Sequence, residues 1–293
     1  MSIETEAAIQ RARATLARLF GIREVTRIIF TLNGTDSLNI AIKGILRDGD
    51  HVVTTQLEHN SVLRPLNALE RAGRIGLTHV PHSGEGFVDP GEIRKAFRPN
   101  TRLVVVSHGS NVMGTVQDIG AMGKIVREKE AFFLVDAAQT AGCYPLHVEK
   151  DSIDLLAFPG HKALFGPPGT GALYVGERVT LSAWREGGTG VDSHSPVQPE
   201  EMPFFLEGGT PNSVGIVGLC QGVSFVLREG IEKIREHELR LIRRLKQGLA
   251  AIPGLTLYPP PSSGAGPVLS TAACNLEGVD PQELGVILDQ SYG

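Results

Sequence analysis

The sequence lacks most of the features that mark secreted or membrane-bound proteins. It has only three cysteines in 293 residues, and no two of them form a Cys-x-x-Cys pair. An odd number of scattered cysteines disfavours a disulfide framework and suits a reducing compartment. The N-terminus has no apolar signal core, and no apolar run approaches the length of a membrane span. We therefore expect a soluble cytoplasmic protein with no membrane partner.

An excess of charge of one sign is also absent. The net charge is −4, and no block of five or more like charges occurs. Nucleic acid is therefore not an expected partner. His79 and His82 have a spacing that metal ligands use, but no cysteine or acidic cluster accompanies them, so no metal site is predicted. The apolar fraction of 41% is normal for a globular chain with a sizeable core.

Short β-rich segments alternate with helical patterns over more than half of the chain. An amphipathic helix over residues 1–20 comes first. Predicted strands then cover residues 27–31, 51–55, 77–80, 103–107, 132–136, 153–158 and 171–175. Predicted helices between them cover residues 37–46, 62–72, 89–97 and 119–129. This alternation, with largely apolar strands, predicts an α/β fold whose mostly parallel sheet is covered by helices.

The pattern changes after the last of these strands. Residues 186–212 are rich in glycine, proline and serine, which indicates a long functional loop. Two helices, over residues 215–227 and 231–250, and two strands, over residues 255–258 and 271–276, are predicted beyond it. We predict a large domain over residues 1–212 and a partial small α+β domain over residues 213–293.

The most informative motif is Phe158-Pro159-Gly160-His161-Lys162, which follows an apolar run. Its lysine comes 26 residues after Asp136, which ends another predicted strand. Pyridoxal phosphate needs a lysine that holds its aldehyde as a Schiff base and an acid that keeps its ring nitrogen protonated. Strand ends in open α/β sheets meet in the crevice where ligands bind. Lys162 and Asp136 therefore predict a pyridoxal 5'-phosphate site; the alternative is a helix-capping aspartate and a lysine on a solvated loop.

The phosphate of such a cofactor needs donors of its own. Asn33-Gly34-Thr35 lies between a predicted strand and the helix that follows. Backbone N–H groups at a helix N-terminus and the Thr35 hydroxyl would suit an anion there. The alternative is an ordinary helix N-cap.

Six motifs occur in the same order as in a known family, and they span most of the chain. They are Thr31-Leu-Asn-Gly-Thr-Asp-Ser-Leu-Asn39, Glu58-His-Asn-Ser61, Ser107-His-Gly-Ser-Asn-Val112, Val135-Asp-Ala-Ala-Gln139, Gly160-His-Lys162 and Glu207-Gly-Gly-Thr-Pro-Asn212. On these motifs the chain resembles class V aminotransferase-fold enzymes, closest to the cysteine desulfurase and selenocysteine lyase group. The resemblance implies the fold type I of pyridoxal-phosphate-dependent transferases, here with an incomplete small C-terminal domain.

The resemblance also implies a role for each matched residue. Lys162 would form the Schiff base and move protons, and Asp136 would pair with the ring nitrogen. His59 would stack on the pyridine face, although it could be an ordinary loop histidine. Asn111 and Gln139 would hydrogen-bond near the ring's phenolic oxygen, although either could merely satisfy loop backbone.

Phosphate binding is implied for a further set of residues. Gly34, Thr35 and His161 would bind it, and Thr210 would reach it from a partner subunit, which implies a homodimer with shared active sites. Pro159 departs from the serine that many members carry, and proline offers neither a hydroxyl nor an N–H. We expect the remaining donors to suffice.

The implied activity is cysteine desulfuration, with cysteine or selenocysteine as the small amino-acid substrate, alanine as product and a sulfur-acceptor protein as a further partner. The family's nucleophilic loop cysteine would follow the segment that ends at Gly293, so we expect a chain truncated at both ends. Cys143, Cys220 and Cys274 are predicted to be buried structural thiols. The alternatives are another class V reaction, such as an aminotransferase or β-lyase reaction, and a non-catalytic cofactor-binding fragment.

Overall fold

The protein is described by a computed structural model that covers residues 2–191, 194–258 and 266–292. Its helices are α1 (Ile3–Phe20), α2 (Gly34–Ile45), α3 (Asn60–Arg71), α4 (Pro90–Lys95), α5 (Ile119–Glu128), α6 (Ser213–Glu229), α7 (Ile231–Ala250) and α8 (Pro281–Tyr292). Its strands are β1 (Ile28–Thr31), β2 (Asp50–Thr55), β3 (Ile75–Val80), β4 (Thr101–Ser107), β5 (Phe132–Asp136), β6 (Leu155–Pro159), β7 (Gly171–Val175), β8 (Leu255–Tyr258) and β9 (Ala273–Leu276).

Seven strands form one sheet in the order β1-β7-β6-β5-β4-β2-β3. The pairs β2–β3, β2–β4, β4–β5 and β5–β6 are parallel, whereas β7 runs antiparallel to both of its neighbours. A parallel partner needs a long crossover, and residues 160–170 between β6 and β7 contain no helix, so β7 returns antiparallel. The predicted fold, a mostly parallel sheet covered by helices, is confirmed.

Apolar side chains cover both faces of this sheet. Along β4, Val104 and Val106 belong to one core cluster, and Leu103 and Val105 belong to the other. The first cluster includes side chains of α1, α5 and α6, and the second includes side chains of α2 and α3. Burial on both faces explains why the strands are nearly continuous apolar runs in the sequence.

The C-terminal elements form a smaller unit. Strands β8 and β9 make a separate two-stranded antiparallel sheet, next to α7 and α8. Helix α6 instead packs on α1, and its Leu219 and Val223 lie in the core beneath the large sheet. The domain boundary at residue 212 stays a prediction, and the packing of α6 favours a division after this helix. Helix α8 was not predicted from the sequence.

Side chains at the helix N-termini explain where several helices begin. Asn33 caps α2 by accepting from the Asp36 N–H at 2.9 Å, and His59 caps α3 by accepting from the Ser61 N–H at 3.1 Å. A side-chain acceptor satisfies one of the N–H groups that the first turn leaves free. Helix α2 therefore starts at Gly34, earlier than the Ser37 predicted from apolar periodicity.

Among the helices in the described ranges, no single one has the length and hydropathy to cross a membrane. Only α6 and α7 taken together meet those criteria, and they are bent by 85° where they join.

Candidate active site

The carboxyl ends of the parallel strands open into a cleft of about 670 Å³, which we call the lysine cleft. It is lined by Asn33, Gly34, Thr35, Leu38, His59, Ser61, Ser107, Gly109, Asn111, Asp136, Ala138, Gln139, Pro159, His161 and Lys162. Eight of the nine residues singled out in the sequence lie here, although they come from segments far apart in the chain. The ninth, Thr210, lies elsewhere.

Asp136 is the acid at the base of this cleft. It ends β5, is 4% exposed, and its Oδ1 accepts from the Ala138 N–H at 2.9 Å. Burial raises the pKa of Asp136, and the Ala138 N–H together with nearby Lys162, His59 and Ser107 lowers it. Because burial disfavours the charged carboxylate, a cation bound beside Asp136 would lower the free energy of its ionised form.

Lys162 lies in the tight connection between β6 and β7. The Gly160 N–H donates to the Thr170 carbonyl at 2.8 Å, and the Phe165 N–H donates to the Lys162 carbonyl at 2.9 Å. Partial burial lowers the pKa of the Lys162 amine, and Asp136 acts in the opposite direction. A lowered pKa enlarges the neutral fraction of the amine, and the neutral amine is the nucleophile. Lys162 and Asp136, which the sequence predicts to serve one site, line the same cleft.

The N-terminus of α2 borders the cleft close to β6. A Cβ on Gly34 would lie 3.2 Å from Cδ of Pro159, so glycine lets the first turn of α2 approach the end of β6 closely. The Thr35 hydroxyl shares a 2.8 Å hydrogen bond with the Ser61 hydroxyl at the start of α3. Two helix N-termini thus border the same cleft. The N–H groups of Ser61, Val62 and Leu63 in α3 already bond to His59, so α3 contributes the Ser61 hydroxyl. The start of α2 contributes the Thr35 hydroxyl and a helix N-terminus that suits an anion.

His59 combines a structural role with a place on the cleft wall. Its Nδ1 accepts from the Ser61 N–H and lies 2.9 Å from the Ser61 hydroxyl, while its side chain is exposed. Because Nδ1 is an acceptor for the Ser61 N–H, a neutral His59 carries its proton on Nε2. The ring is thereby held in one orientation at the mouth of the cleft.

Sequence reasoning assigned no role to two serines of the cleft. Ser61 lies beside Thr35, and Ser107 ends β4 opposite Asp136 in the strand register. Both fall inside the motifs Glu58-His-Asn-Ser61 and Ser107-His-Gly-Ser-Asn-Val112. Because both serines lie in motifs that contain or adjoin predicted site residues, the sequence could have identified them as site residues.

Thr210 lies in a second cleft of about 830 Å³, which we call the Trp184 cleft. Its other lining residues include Arg13, Phe30, Trp184 and Glu207. The segment from residue 186 to residue 212, where described, contains no helix or strand, in agreement with the predicted long loop. Within one chain, Thr210 and Lys162 line different clefts. The assignment of Thr210 to the site of a partner subunit stays a prediction.

Two of the three thiols differ from what was expected. Cys143 is buried, its Sγ lies 3.1 Å from the Gln139 carbonyl, and burial raises its pKa to about 12. Cys220 and Cys274 are only partly buried, so the prediction that all three are buried was wrong for these two. Cys220 lies on the side of α6 that meets Thr15 of α1, and Cys274 lies in a two-stranded sheet that covers little surface. Among the residues that line the lysine cleft, none is a cysteine.

Comparison with known proteins gives consistent matches. The sequence matches the family described as Aminotransferase class-V over residues 1–293. It is 35% identical over 292 residues to a probable cysteine desulfurase of Methanothermobacter thermautotrophicus, covering 97% of this chain and 71% of that protein. It is 34% identical to the cysteine desulfurase IscS of Dictyoglomus turgidum, covering 85% of this chain and 61% of that protein.

A solved structure gives the same result. The apo structure of a cysteine desulfurase from Thermococcus onnurineus NA1 superposes with a TM-score of 0.90 at 32% identity, over 98% of this chain and 72% of that one. The matched region spans 58–61% of the length of several curated relatives. The family match over the whole chain, the shared motifs and the shared fold lead to one conclusion: the chain belongs to the class V aminotransferase family.

Proposed function

We propose that the lysine cleft binds pyridoxal 5'-phosphate and that the protein is a cytoplasmic cysteine desulfurase acting on L-cysteine. The observation that supports this best is the convergence of Lys162 and buried Asp136 in one cleft bordered by two helix N-termini. The reducing compartment is supported by the three cysteines, which are all free.

The residues of the cleft fit the chemical groups of this cofactor. The aldehyde needs an amine of lowered pKa, which Lys162 supplies. The ring nitrogen needs an acid, and burial of Asp136 makes a cationic partner favourable. The phosphate needs N–H and O–H donors, and the first turn of α2 with the Thr35–Ser61 pair offers both.

Each residue then has a defined task. Lys162 would hold the cofactor and, once free, would accept and return a substrate proton at Nζ. Asp136 would hold a proton on the ring nitrogen, and His59 would keep the ring in place by stacking. When bound, the cofactor withdraws electrons from the substrate and so weakens bonds at its α- and β-carbons.

The polar ends of the cleft have further tasks. Asn111 and Gln139 would orient the ring through its phenolic oxygen. Gly34, Thr35 and His161 would bind the phosphate, joined by Ser61. In a homodimer, the partner's Thr210 would add a hydroxyl to the same phosphate.

The substrate assignment is supported by the names of the relatives, which are cysteine desulfurases or probable ones. In the proposed reaction the C–S bond of L-cysteine breaks, the sulfur passes to an acceptor thiol as a persulfide, and a proton replaces it on the β-carbon to give L-alanine. Selenocysteine would react by the same steps. The acceptor thiol would belong to a sulfur-acceptor segment or protein.

A second candidate is another class V reaction, an amino transfer or a β-elimination. It is favoured by one observation, that no cysteine lines the lysine cleft in the part of the chain described. Both reactions would use the same cofactor, lysine and acid.

One experiment tests the cofactor and the reaction in order. The purified chain is titrated with pyridoxal 5'-phosphate, followed by visible absorbance, then reduced with borohydride and digested for mass spectrometry. We expect the cofactor mass on Lys162, its loss in Lys162→Ala, and its retention in the control Lys43→Ala, an exposed lysine of α2. Binding that is equal in both variants would refute the site.

The reaction is then assayed on the loaded chain with L-cysteine and a thiol. Alanine formed together with sulfide or persulfide supports desulfuration. Pyruvate with sulfide supports β-elimination, and accumulation of the aminated cofactor supports amino transfer. Either of these two results would replace the proposed reaction while leaving the cofactor site intact.

A further inference from the structure

A second carboxyl group lies buried behind Asp136. Glu58 immediately precedes His59 and is only 7% exposed. Its Oε1 accepts from the Thr55 hydroxyl at 2.7 Å and from the Ser107 N–H at 3.0 Å. Its Oε2 is buried and has no hydrogen-bond partner among the described residues. A buried oxygen of this kind is costly unless it carries a proton or finds a partner.

The surroundings of Glu58 favour its uncharged form. Burial raises the pKa of Glu58 to about 8, the Ser107 and Thr55 hydrogen bonds lower it, and the charge of nearby Asp136 raises it. Asp136 in turn faces Lys162 and His59. Because Oε1 already accepts two hydrogen bonds, the proton of neutral Glu58 belongs on Oε2.

Ser107 lies between the two acids. Its N–H donates to Glu58 Oε1 at 3.0 Å, and the residue pairs with Asp136 in the β4–β5 register. Two neighbouring buried carboxyl groups do not both ionise readily. A protonated Glu58 leaves Asp136 as the ionised member of the pair, while its Oε1 still accepts from the Ser107 N–H.

We propose that Glu58 is a positioning residue for Asp136: its uncharged carboxyl group accepts from the Ser107 N–H, which fixes the end of β4 beside Asp136, and it leaves the negative charge of the site on Asp136. The inference rests on the proposed function, because Asp136 is there the partner of the cofactor's ring nitrogen. Glu58 itself does not line the lysine cleft.

Substitutions at position 58 separate hydrogen bonding from size. Glutamine imitates the protonated acid, with a carbonyl that accepts and an amide that donates, whereas leucine has similar size and no polar atom. We expect Glu58→Gln to keep the dissociation constant for pyridoxal 5'-phosphate at pH 7 within about threefold of the parent chain, and Glu58→Leu to raise it at least about tenfold. Glu70→Gln, an exposed glutamate of α3, is the control.

Rescue by glutamine but not by leucine supports the proposal. Equal weakening in both variants, or no weakening in Glu58→Leu, overturns it. If Glu58→Leu does not fold, Glu58→Ala takes its place, since it too removes the acceptor of the Ser107 N–H.

A cofactor-free measurement keeps this test independent of the proposed function. A carboxyl group whose folded pKa lies above its unfolded value destabilises the fold as pH rises from the unfolded pKa to the folded one. The urea midpoint of Glu58→Gln minus that of the parent chain should therefore grow between about pH 4.5 and pH 8, because burial raises the pKa of Glu58 to about 8. In the Asp136→Asn background this growth should be smaller.

A constant difference in urea midpoint would show that Glu58 is ionised and would end the proposal, whatever the cofactor result. Failure of the parent chain to bind pyridoxal 5'-phosphate would instead end the proposed function, while the pH dependence of unfolding would still report the state of Glu58.

Discussion

Thr35 and Ser61 share a hydrogen bond of 2.8 Å between their hydroxyl oxygens, which joins the first turn of α2 to the first turn of α3. Both residues line the lysine cleft. The two helices begin after different strands, so this contact fixes the spacing of the two N-termini. Ser61 also contacts His59, which links the proposed phosphate end of the site to the proposed ring contact.

Replacing Ser61 should weaken cofactor binding. Ser61→Ala removes one hydroxyl donor and breaks the hydrogen bond to the Thr35 hydroxyl. We expect a loss of about 1 kcal/mol in binding free energy, which corresponds to a roughly fivefold increase in the dissociation constant. The measurement is an absorbance titration with pyridoxal 5'-phosphate. Ser224→Ala is the control, since the Ser224 hydroxyl donates to the Cys220 carbonyl within α6, away from the residues that line the lysine cleft. An unchanged constant in Ser61→Ala would remove Ser61 from the site.

Sharing of the active site between subunits can be tested by mixing two inactive variants. If Thr210 acts in a partner's site, a hybrid dimer of Lys162→Ala and Thr210→Ala has one site that carries both changes and one that carries neither. An equal mixture should then recover about a quarter of the parent activity after subunit exchange. Mixtures that stay as inactive as the separate variants would place Thr210 outside the partner's site.

The ion pair of Arg13 and Glu207 should be important for stability. Its N–O distance is 2.5 Å, and the side chains are 2% and 15% exposed. Glu207→Ala leaves a buried guanidinium without its partner, and such losses cost about 3–5 kcal/mol of unfolding free energy. Urea denaturation of Glu207→Ala and of the parent chain measures this difference in unfolding free energy. Glu149→Ala breaks the exposed pair with Arg23 and should cost less than about 1 kcal/mol. Equal costs would contradict the role assigned to burial.

Acid should destabilise the fold partly through His51. Burial lowers the pKa of His51 to about 4, and its ring nitrogens contact the Thr101 and Thr78 hydroxyls. His51 binds a proton near pH 6.5 in the unfolded chain but only near pH 4 in the folded chain. The free energy of unfolding therefore falls as pH drops from about 6.5 to about 4. The urea midpoints of the parent chain and His51→Gln should converge there. His79→Gln, an exposed histidine of β3, should show no such convergence.

Two glycines in neighbouring helices should respond in opposite ways to alanine. A Cβ on Gly222 of α6 would meet the Leu164 carbonyl oxygen, two residues after Lys162, at 2.1 Å. Gly222→Ala should cost at least about 1–3 kcal/mol and weaken cofactor binding by shifting that connection. Gly248 of α7 has open space at the same position, so Gly248→Ala should stabilise by about 0.5–1 kcal/mol. Thermal melting compares the two, and a stable Gly222→Ala would refute the close packing.

Local patterns predicted the sheet well. The bounds of β5 and β7 agree with the predicted residues 132–136 and 171–175, because buried strands are distinct apolar runs. The antiparallel direction of β7 was not predicted, since direction depends on the connection that follows Lys162. Helix α8 carries the apolar residues Val286, Ile287 and Leu288, but they are exposed and the helix has no buried residue, so no packing against the rest of the chain marks it.

The site was predictable to the extent that it lies at strand ends. Asp136, Ser107 and Pro159 end neighbouring strands, so their convergence follows from the topology. Interactions between segments remote in sequence were not predictable. The pairing of Arg13 with Glu207 joins positions 194 residues apart, and the approach of Glu58 to Asp136 depends on where β2 lies in the sheet.

The Arg13–Glu207 pair also bears on how copies of this chain meet. Strand β1 lies at one edge of the sheet, with β7 as its partner on the other side. Arg13 donates to the Ile28 carbonyl, and Glu207 accepts from the Phe30 N–H at 2.6 Å. Ile28 and Phe30 are alternate residues of β1, so these two backbone groups point to the same side of the strand. Those are the positions that an incoming strand would use to extend the sheet. Two side chains therefore block edge-to-edge association, and loss of either would expose the chain to aggregation through β1.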